Sequence, residues 1–185
     1  MSRADASERI IEGAVRLGIA RGVGAMSLQA IATASGVSKA LVLYHFQGKA
    51  TLLRGVVDSL ARGGAARFQR ASQHPDPMAA WRALALDEVA RGDAALLTAL
   101  SLEEDVDVET SQRARAAREE AATALAVAVL GGVGQTPRVP APFLGRLMLR
   151  QIDGLAVAAA RGGVTDAARD AELDTFALAL LALGK

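Results

Sequence analysis

Residues 27–54 constrain the fold of this chain more than any other segment. Two short helix-like stretches, S-L-Q-A-I-A-T-A-S and S-K-A-L-V-L-Y-H-F, flank the dipeptide G-V, and each opens with a serine. Serine favours the position before a helix, because its hydroxyl accepts a hydrogen bond from a free backbone N–H. Glycine commonly ends a helix, because it adopts the left-handed conformation without strain. The segment predicts a helix-turn-helix, which presents its second helix to the major groove of DNA.

The remaining sequence predicts an all-α chain. Aromatic residues make up only 3% of the 185 residues while hydrophobic residues make up 51%, so a large core is available but strand-favouring side chains are scarce. The Gly63-Gly64 pair falls inside the fourth predicted helix and is interpreted as a site of close packing or of a kink. Glycine, proline and helical periodicity predict the following helices: about 7–21, 28–35, 39–46, 49 onward past 68, 78–91, 94–104, 110–130, 143–161 and 167–183.

Charge divides the chain into two parts. Residues 1–55 carry seven basic and three acidic side chains, whereas the rest carries 14 basic and 17 acidic ones. A basic head on an acidic body fits a polyanionic partner for the head alone, although an imbalance of this size also arises by chance. We expect a helix-turn-helix DNA-binding domain over residues 1–50 and a larger helical domain over residues 51–185.

Several classes of function are disfavoured. The chain has no cysteine, residues 1–13 do not resemble a signal peptide, and no apolar run reaches the roughly 18 residues of a membrane span. We therefore expect a cytoplasmic protein with no membrane association. No Ser-His-acid or paired-carboxylate spacing is evident, so we expect no enzymatic activity, no cofactor and no metal. The acidic run at residues 103–109 is interpreted as a solvated loop, because its carboxylates do not follow a calcium-loop order.

The run G-V-S-K-A-L-V-L-Y-H-F-Q-G-K-A-T-L-L at residues 36–53 resembles the tetracycline-repressor (TetR) family of transcriptional regulators. Further on, the I-D-G-L segment at residues 152–155 is similar to the dimerisation helix of that family. The resemblance implies a three-helix DNA-binding head followed by a larger helical body for ligand binding and dimerisation. It also implies that Val37, Val42 and Phe46 anchor the recognition helix in the core of the head.

The resemblance assigns DNA contacts position by position. Gln29 is our first choice for reading a base edge, and Lys49 is expected to hold a phosphate at the start of its helix. Leu43 replaces an aromatic residue that touches phosphate in the family, so one backbone contact is expected to be missing. Leu41 replaces a polar residue and is expected to pack on a thymine methyl. The implied DNA-binding residues are Ser27, Gln29, Ser38, Lys39, Ala40, Leu41, Leu43, Tyr44, His45 and Lys49.

The body offers candidates for two further surfaces. Bulky apolar residues on the middle helices are predicted to line a pocket for an apolar or amphipathic ligand, although most are also plausible core: Phe68, Met78, Trp81, Leu84, Leu97, Leu100 and Leu125. Apolar stripes on the last two helices are predicted to pair with a second copy in a four-helix bundle, the alternative being an ordinary intramolecular core. The predicted interface residues are Leu144, Leu147, Met148, Ile152, Leu155, Phe176, Leu180 and Leu183.

These expectations favour one function over three others. The favoured function is a homodimeric repressor that binds an inverted-repeat operator on double-stranded DNA and is released by a small-molecule ligand. The first alternative is a helical DNA-binding protein without a small-molecule ligand. An interaction module that does not bind DNA would lack salt-sensitive DNA affinity, and a small helical enzyme fits poorly because the catalytic patterns are missing.

Overall fold

The computed structural model describes residues 3–185. Over this range the chain forms helices and turns but no β-strand, in agreement with the all-α prediction. A short 3-10 turn at Val23–Ala25 separates the first two helices. The helices are α1 (Arg3–Arg21), α2 (Leu28–Ser35), α3 (Lys39–Phe46), α4 (Lys49–Ser72), α5 (Pro77–Arg91), α6 (Asp93–Leu100), α7 (Val108–Gly132), α8 (Ala141–Ala160) and α9 (Asp166–Ala182).

The predicted helix boundaries differ from the structure mainly at α1 and α6. α1 begins at Arg3, four residues before the predicted start. α6 ends at Leu100 rather than near residue 104, because the next amides, those of Leu102 and Glu103, bond to carbonyls three residues back and the chain turns. α4 continues through Gly63 and Gly64 without a break. A Cβ at Gly64 would lie 3.2 Å from Arg118 Nε, so this glycine permits close packing, the first of the two interpretations.

The chain divides into two compact units. The first comprises Met1–Leu60 with Leu96–Ala114, and the second comprises Ala61–Ala95 with Arg115–Lys185. Three helices, α4, α6 and α7, contain residues of both units. These two units are defined by packing alone, whereas the predicted division at residue 50 is one of function. The functional division therefore stays a prediction.

The first unit is held together by α1, α2 and α3. α1 packs along α2, and the crossing is close because Gly13 has no side chain: a Cβ there would stand 2.1 Å from Ser35 Oγ. The Ser35 hydroxyl donates to the Ile31 carbonyl at 2.7 Å. Near the end of α1 the Ile19 side chain is 44% exposed and lies outside the core of this unit. Buried side chains in the head include Ile10, Ala14, Leu17, Met26, Ile31, Ala32, Val42 and Phe46.

The second unit has its own apolar core. α5 packs against α8, and the α7–α8 approach is close at Gly145, where a Cβ would lie 2.1 Å from Thr123 Oγ1. None of the helices within residues 3–185 is long and apolar enough to cross a lipid bilayer. Large buried side chains of this core include Phe68, Trp81, Leu125, Leu130, Leu144, Met148, Ile152 and Leu173.

Candidate nucleic-acid interface

The turn between α2 and α3 is fixed by local hydrogen bonds. The Ser27 hydroxyl accepts from the Ala30 amide at 3.2 Å, and the Ser38 hydroxyl accepts from the Leu41 amide at 3.1 Å. Gly36 adopts a left-handed conformation (φ 65°), and its amide donates to carbonyls of the last turn of α2. Both predicted serine caps and the glycine turn are therefore present. These bonds fix the direction in which α3 leaves the turn.

Two arginines of α1 hold the end of α2 in place, a role that sequence reasoning missed. Arg9 Nη2 donates to the Ser35 carbonyl and Arg16 Nη2 donates to the Ala34 carbonyl, each at 3.2 Å. The last carbonyls of a helix have no partner within the helix, so a cationic donor there satisfies both the hydrogen bond and the helix dipole. The two arginines are seven residues apart on one helix face, and this spacing could have identified them.

The outer face of α3 is open to solvent. Val42 and Phe46 are buried and Val37 is partly buried, as the predicted anchoring role requires. On the opposite side Leu43 is 39% exposed and Tyr44 is 63% exposed. Burial on one side and exposure on the other make α3 a helix that is fixed to the head and accessible along its outer face.

All ten predicted DNA-binding residues reach the surface of the head. They all lie within residues 27–49, from the N-cap of α2 through the turn and α3 to the start of α4, and none of them is buried. The Tyr44 and His45 rings also contact each other edge to face, with centroids 5.3 Å apart. Seven are exposed and three (Leu41, His45 and Lys49) are partly exposed.

Lys49 is held by a carboxylate from the loop between α6 and α7. We call residues 101–107 the acidic loop; it belongs to the same compact unit as the head. Lys49 Nζ lies 2.9 Å from Asp105 Oδ2, with about 40% of each side chain exposed. Arg54, further along α4, donates to Asp107 Oδ2 at 3.3 Å. Residues 103–107 of the run predicted to be a solvated loop do form a loop, whereas residues 108 and 109 begin α7. Three carboxylates of the run make ion pairs that the sequence did not suggest, the third being Glu109 with Arg113 at 3.1 Å.

Asp107 has a second role at the start of α7. Its Oδ1 accepts from the Thr110 amide at 2.7 Å, which is the bond of a helix N-cap. This backbone hydrogen bond, followed by further bonding to Thr110 and by the charge of Arg54, holds the pKa of Asp107 below its usual range. One carboxylate thus joins the start of α7 to Arg54 on α4, and both contacts favour its ionised form.

The predicted ligand-lining residues are mostly packed side chains. Five of them lie in or against the core of the second unit, where four are buried and Met78 is partly buried. Leu97 and Leu100 are buried residues that belong to the first unit. Trp81 stacks near Phe176, with ring centroids 5.5 Å apart, and its buried Nε1 has no hydrogen-bond partner among the described residues.

The second unit also contains a network of buried charges, which the sequence analysis overlooked. Arg67 donates to Glu88 at 2.5 Å and to Asp93 at 3.1 Å, and Arg118 makes two bonds to Asp153, at 2.7 and 3.1 Å. Burial raises the pKa of Asp153, and the charge of Arg118 opposes that rise. Glu88 follows the buried residues of α5 at helical spacing, which is the signal that could have placed a charge in this core.

The predicted interface residues on α8 and α9 fall into two groups. Leu144, Met148, Ile152, Leu155 and Leu180 are buried in the core of a single chain, while the other three (Leu147, Phe176 and Leu183) are partly exposed. Side chains that are buried within one chain can support a dimer interface from beneath, but they cannot contact the second copy directly.

The outer face of these helices carries an open groove of about 380 Å³. Beside it on α9, Leu178 is 70% exposed. The residues that line the groove are Gln151, Ala171, Glu172, Thr175, Phe176 and Ala179.

Comparison with known proteins finds a family match for the head and a structural likeness for the whole chain. Residues 10–56 match the model of the tetR family of bacterial regulatory proteins. No curated protein matches the chain in sequence. Over its full length the chain resembles solved TetR-family structures, and at about 20% identity this likeness shows the fold.

Three of these structures illustrate the extent of the likeness. A TetR family transcription regulator from Marinobacter aquaeolei is 21% identical, with a TM-score of 0.69 over 100% of both chains. A TetR transcription regulator from Haloarcula marismortui is 21% identical, with a TM-score of 0.72 over 98% of this chain and 100% of that one. The SmeT–triclosan complex is 20% identical, with a TM-score of 0.65 over 95% of this chain and 90% of that one.

Proposed function

Since residues 10–56 belong to the tetR family of bacterial regulatory proteins and the whole chain has the TetR-family fold, we propose that this protein is a ligand-responsive transcriptional repressor. In this proposal the helix-turn-helix head, residues 1–50, binds an inverted-repeat operator. Residues 51–185 form a homodimer and bind a small apolar or amphipathic molecule that releases the DNA.

One observation supports the DNA-binding part most directly. α3 is fixed to the head by Val42 and Phe46, whereas its outer face and the adjoining residues of α2 and α4 are accessible. A helix exposed in this way can enter the major groove, where its N-terminal residues read base edges. The side-chain amide of Gln29 can make two bonds to an adenine, its oxygen accepting and its nitrogen donating, and Lys39 supplies a cation near the groove.

The operator geometry follows from twofold symmetry. A homodimer presents two copies of α3, and dimers of this kind read half-sites one helical turn apart, about 34–36 Å. We propose that a second copy covers the groove on α8 and α9. Phe176 lines that groove, and the exposed Leu178 lies beside it on α9. Pairing of these helices into a four-helix bundle would remove both from water.

Two observations bear on the ligand part of the proposal, a complex of a protein with the same fold and the packing of the second unit. A protein of the same fold, SmeT, is known in complex with triclosan, which supports a small-molecule ligand here. The dense packing around Phe68 and Leu125, which are both fully buried, favours instead the alternative of a DNA-binding protein without a ligand. The unpartnered Trp81 Nε1 gives a ligand one donor to use if the surrounding helices separate.

Selection from random duplex DNA tests the proposal. The full chain should enrich an inverted repeat, and apolar molecules screened against the complex should include one that releases it. Enrichment without release by any ligand would favour the ligand-free alternative. No enrichment, together with equally weak binding to every duplex, would contradict the DNA-binding proposal itself.

A further inference from the structure

We propose that Asp105 competes with a DNA phosphate for Lys49, so that the acidic loop lowers the affinity of the head for DNA. The inference rests on the proposed function, because it concerns the regulation of the same DNA-binding face. Its basis is the ion pair between Lys49 Nζ and Asp105 Oδ2, 2.9 Å apart. A carboxylate at this distance accepts from one of the three N–H donors of the ammonium group and offsets the charge that would attract a phosphate.

Competition follows from the charges. A phosphate that approaches Lys49 either displaces the Asp105 carboxylate or shares one ammonium group with it. Displacement breaks an existing ion pair, and sharing places two anions within a few ångströms of each other. Lys49 therefore contributes less to DNA binding than an unpaired lysine at the start of a helix.

The acidic loop is anchored to α4 through Asp107. Asp107 binds Arg54 through one carboxylate oxygen and the Thr110 amide through the other, at 3.3 and 2.7 Å. Arg54 also donates to Thr51 Oγ1 at 3.1 Å, within the same stretch of α4. Because Asp105 is two residues from this anchor, it is held close to Lys49 before any DNA arrives, and the competition is intramolecular.

The expected size of the effect is moderate. Two unit charges 4 Å apart in water repel strongly enough to lower an association constant about fivefold. An operator with two half-sites involves two copies of Lys49, so the effects multiply to about 25-fold. Binding of an unpaired Lys49 to phosphate also releases more counterions, so the salt dependence should steepen by up to about 0.9 in logarithmic slope per half-site.

Asp105→Asn tests the inference, and Glu104→Gln is its matched control. Glu104 is exposed, makes no ion pair with any described residue and is adjacent to Asp105, so its substitution removes the same charge without breaking the pair. Both variants are made in the full chain, alone and with Lys49→Met. Their affinities are measured on a selected operator and on an unrelated duplex at two salt concentrations, after circular dichroism has shown that they fold.

We expect Asp105→Asn to bind the operator about 25-fold more tightly than Glu104→Gln does, and to lose this advantage when Lys49 is methionine. Equal affinity of the two variants, weaker binding by Asp105→Asn, or a gain that survives Lys49→Met would each overturn the competition. If neither the wild-type chain nor Asp105→Asn binds either duplex, the proposed function fails as well. Binding that is equal in the two variants contradicts only the competition.

Discussion

Gly13 on α1 and Ser35 on α2 approach so closely that a Cβ on Gly13 would stand 2.1 Å from Ser35 Oγ and 2.9 Å from Ser35 Cα. The second distance involves backbone, which cannot rotate away as a side chain can. The relation between α1 and α2 therefore depends on the absence of a side chain at residue 13. It also places the end of α2, and with it the turn that aims α3.

Gly13→Ala should accordingly destabilise the head. Overpacking of a close helix crossing costs about 1–3 kcal/mol, and we expect the upper end because backbone is involved. Gly24→Ala is the control, since a Cβ there meets no atom within 4 Å, and its free energy of unfolding should change by less than about 0.5 kcal/mol. Urea unfolding followed by circular dichroism measures both. Equal stability of the two variants would show that the crossing relaxes without cost.

Leu41→Ala should weaken operator binding through one base contact. Leu41 is partly exposed at the start of α3, where it can pack on a thymine methyl, and loss of that contact costs about 0.8 kcal/mol per half-site. Replacement of the contacted thymine by deoxyuridine removes the same methyl from the DNA. The wild-type protein should distinguish the two operators, and Leu41→Ala should bind them equally. Discrimination that persists in the variant would assign the methyl contact to another residue.

The buried carboxyl of Asp153 gives a prediction about pH. Burial raises its pKa in the folded chain above the ordinary value of 3.8, so between these two values the folded state binds more protons than the unfolded state. The contribution of Asp153 to the free energy of unfolding therefore falls as pH rises through that window. Burial raises the pKa of Asp93 as well, and its contribution has the same sign.

The measurement compares Asp153→Asn with the wild-type chain at several pH values from 4 to 7. The variant leaves Arg118 buried with a weakened partner and should be less stable at every pH, by about 2–3 kcal/mol given that Asp153 is about a quarter exposed. The difference in free energy of unfolding between the two proteins should shrink as pH rises from 3.8 to the raised pKa of Asp153. A difference that grows with pH there would mean that Arg118 outweighs burial and lowers the pKa.

Ala179→Arg should disrupt the proposed dimer. Ala179 lines the groove on α8 and α9 and is exposed in the single chain, so an arginine fits the monomer but not a close helix pair. Ala83→Arg, at an exposed position of α5, is the control. Sedimentation equilibrium should show a monomer for the first variant and a dimer for the second. A dimeric Ala179→Arg chain would place the interface elsewhere.

The parts of the fold set by local chemistry could be predicted from the sequence. Ser27, Gly36 and Ser38 act through backbone groups within five residues, so the helix-turn-helix was predicted with its caps and its turn. The resemblance to the TetR family then predicted which residues of α3 face the DNA. Helix ends were predicted less well where the backbone tightens into turns, as it does after α6.

The parts set by distant partners could not be predicted. An apolar stripe such as that of Leu144 and Ile152 shows that a helix face is covered, but the pattern is the same whether its own chain or a second copy covers it. The structure buries both within one chain. Similarly, no local pattern pairs Lys49 with Asp105, because 56 residues separate them and the pair depends on how α4 and the acidic loop meet.

The most direct test of the account is a titration of the protein and of a Tyr44→Ala, Lys49→Ala double variant against a selected operator, at two salt concentrations. Both side chains lie on the proposed DNA-binding face and neither is buried, so the variant should fold normally. We predict tight, salt-sensitive binding by the wild-type chain, a loss of at least tenfold in the variant and a shallower salt dependence. Equal binding by the two proteins would contradict the assignment of this face to DNA.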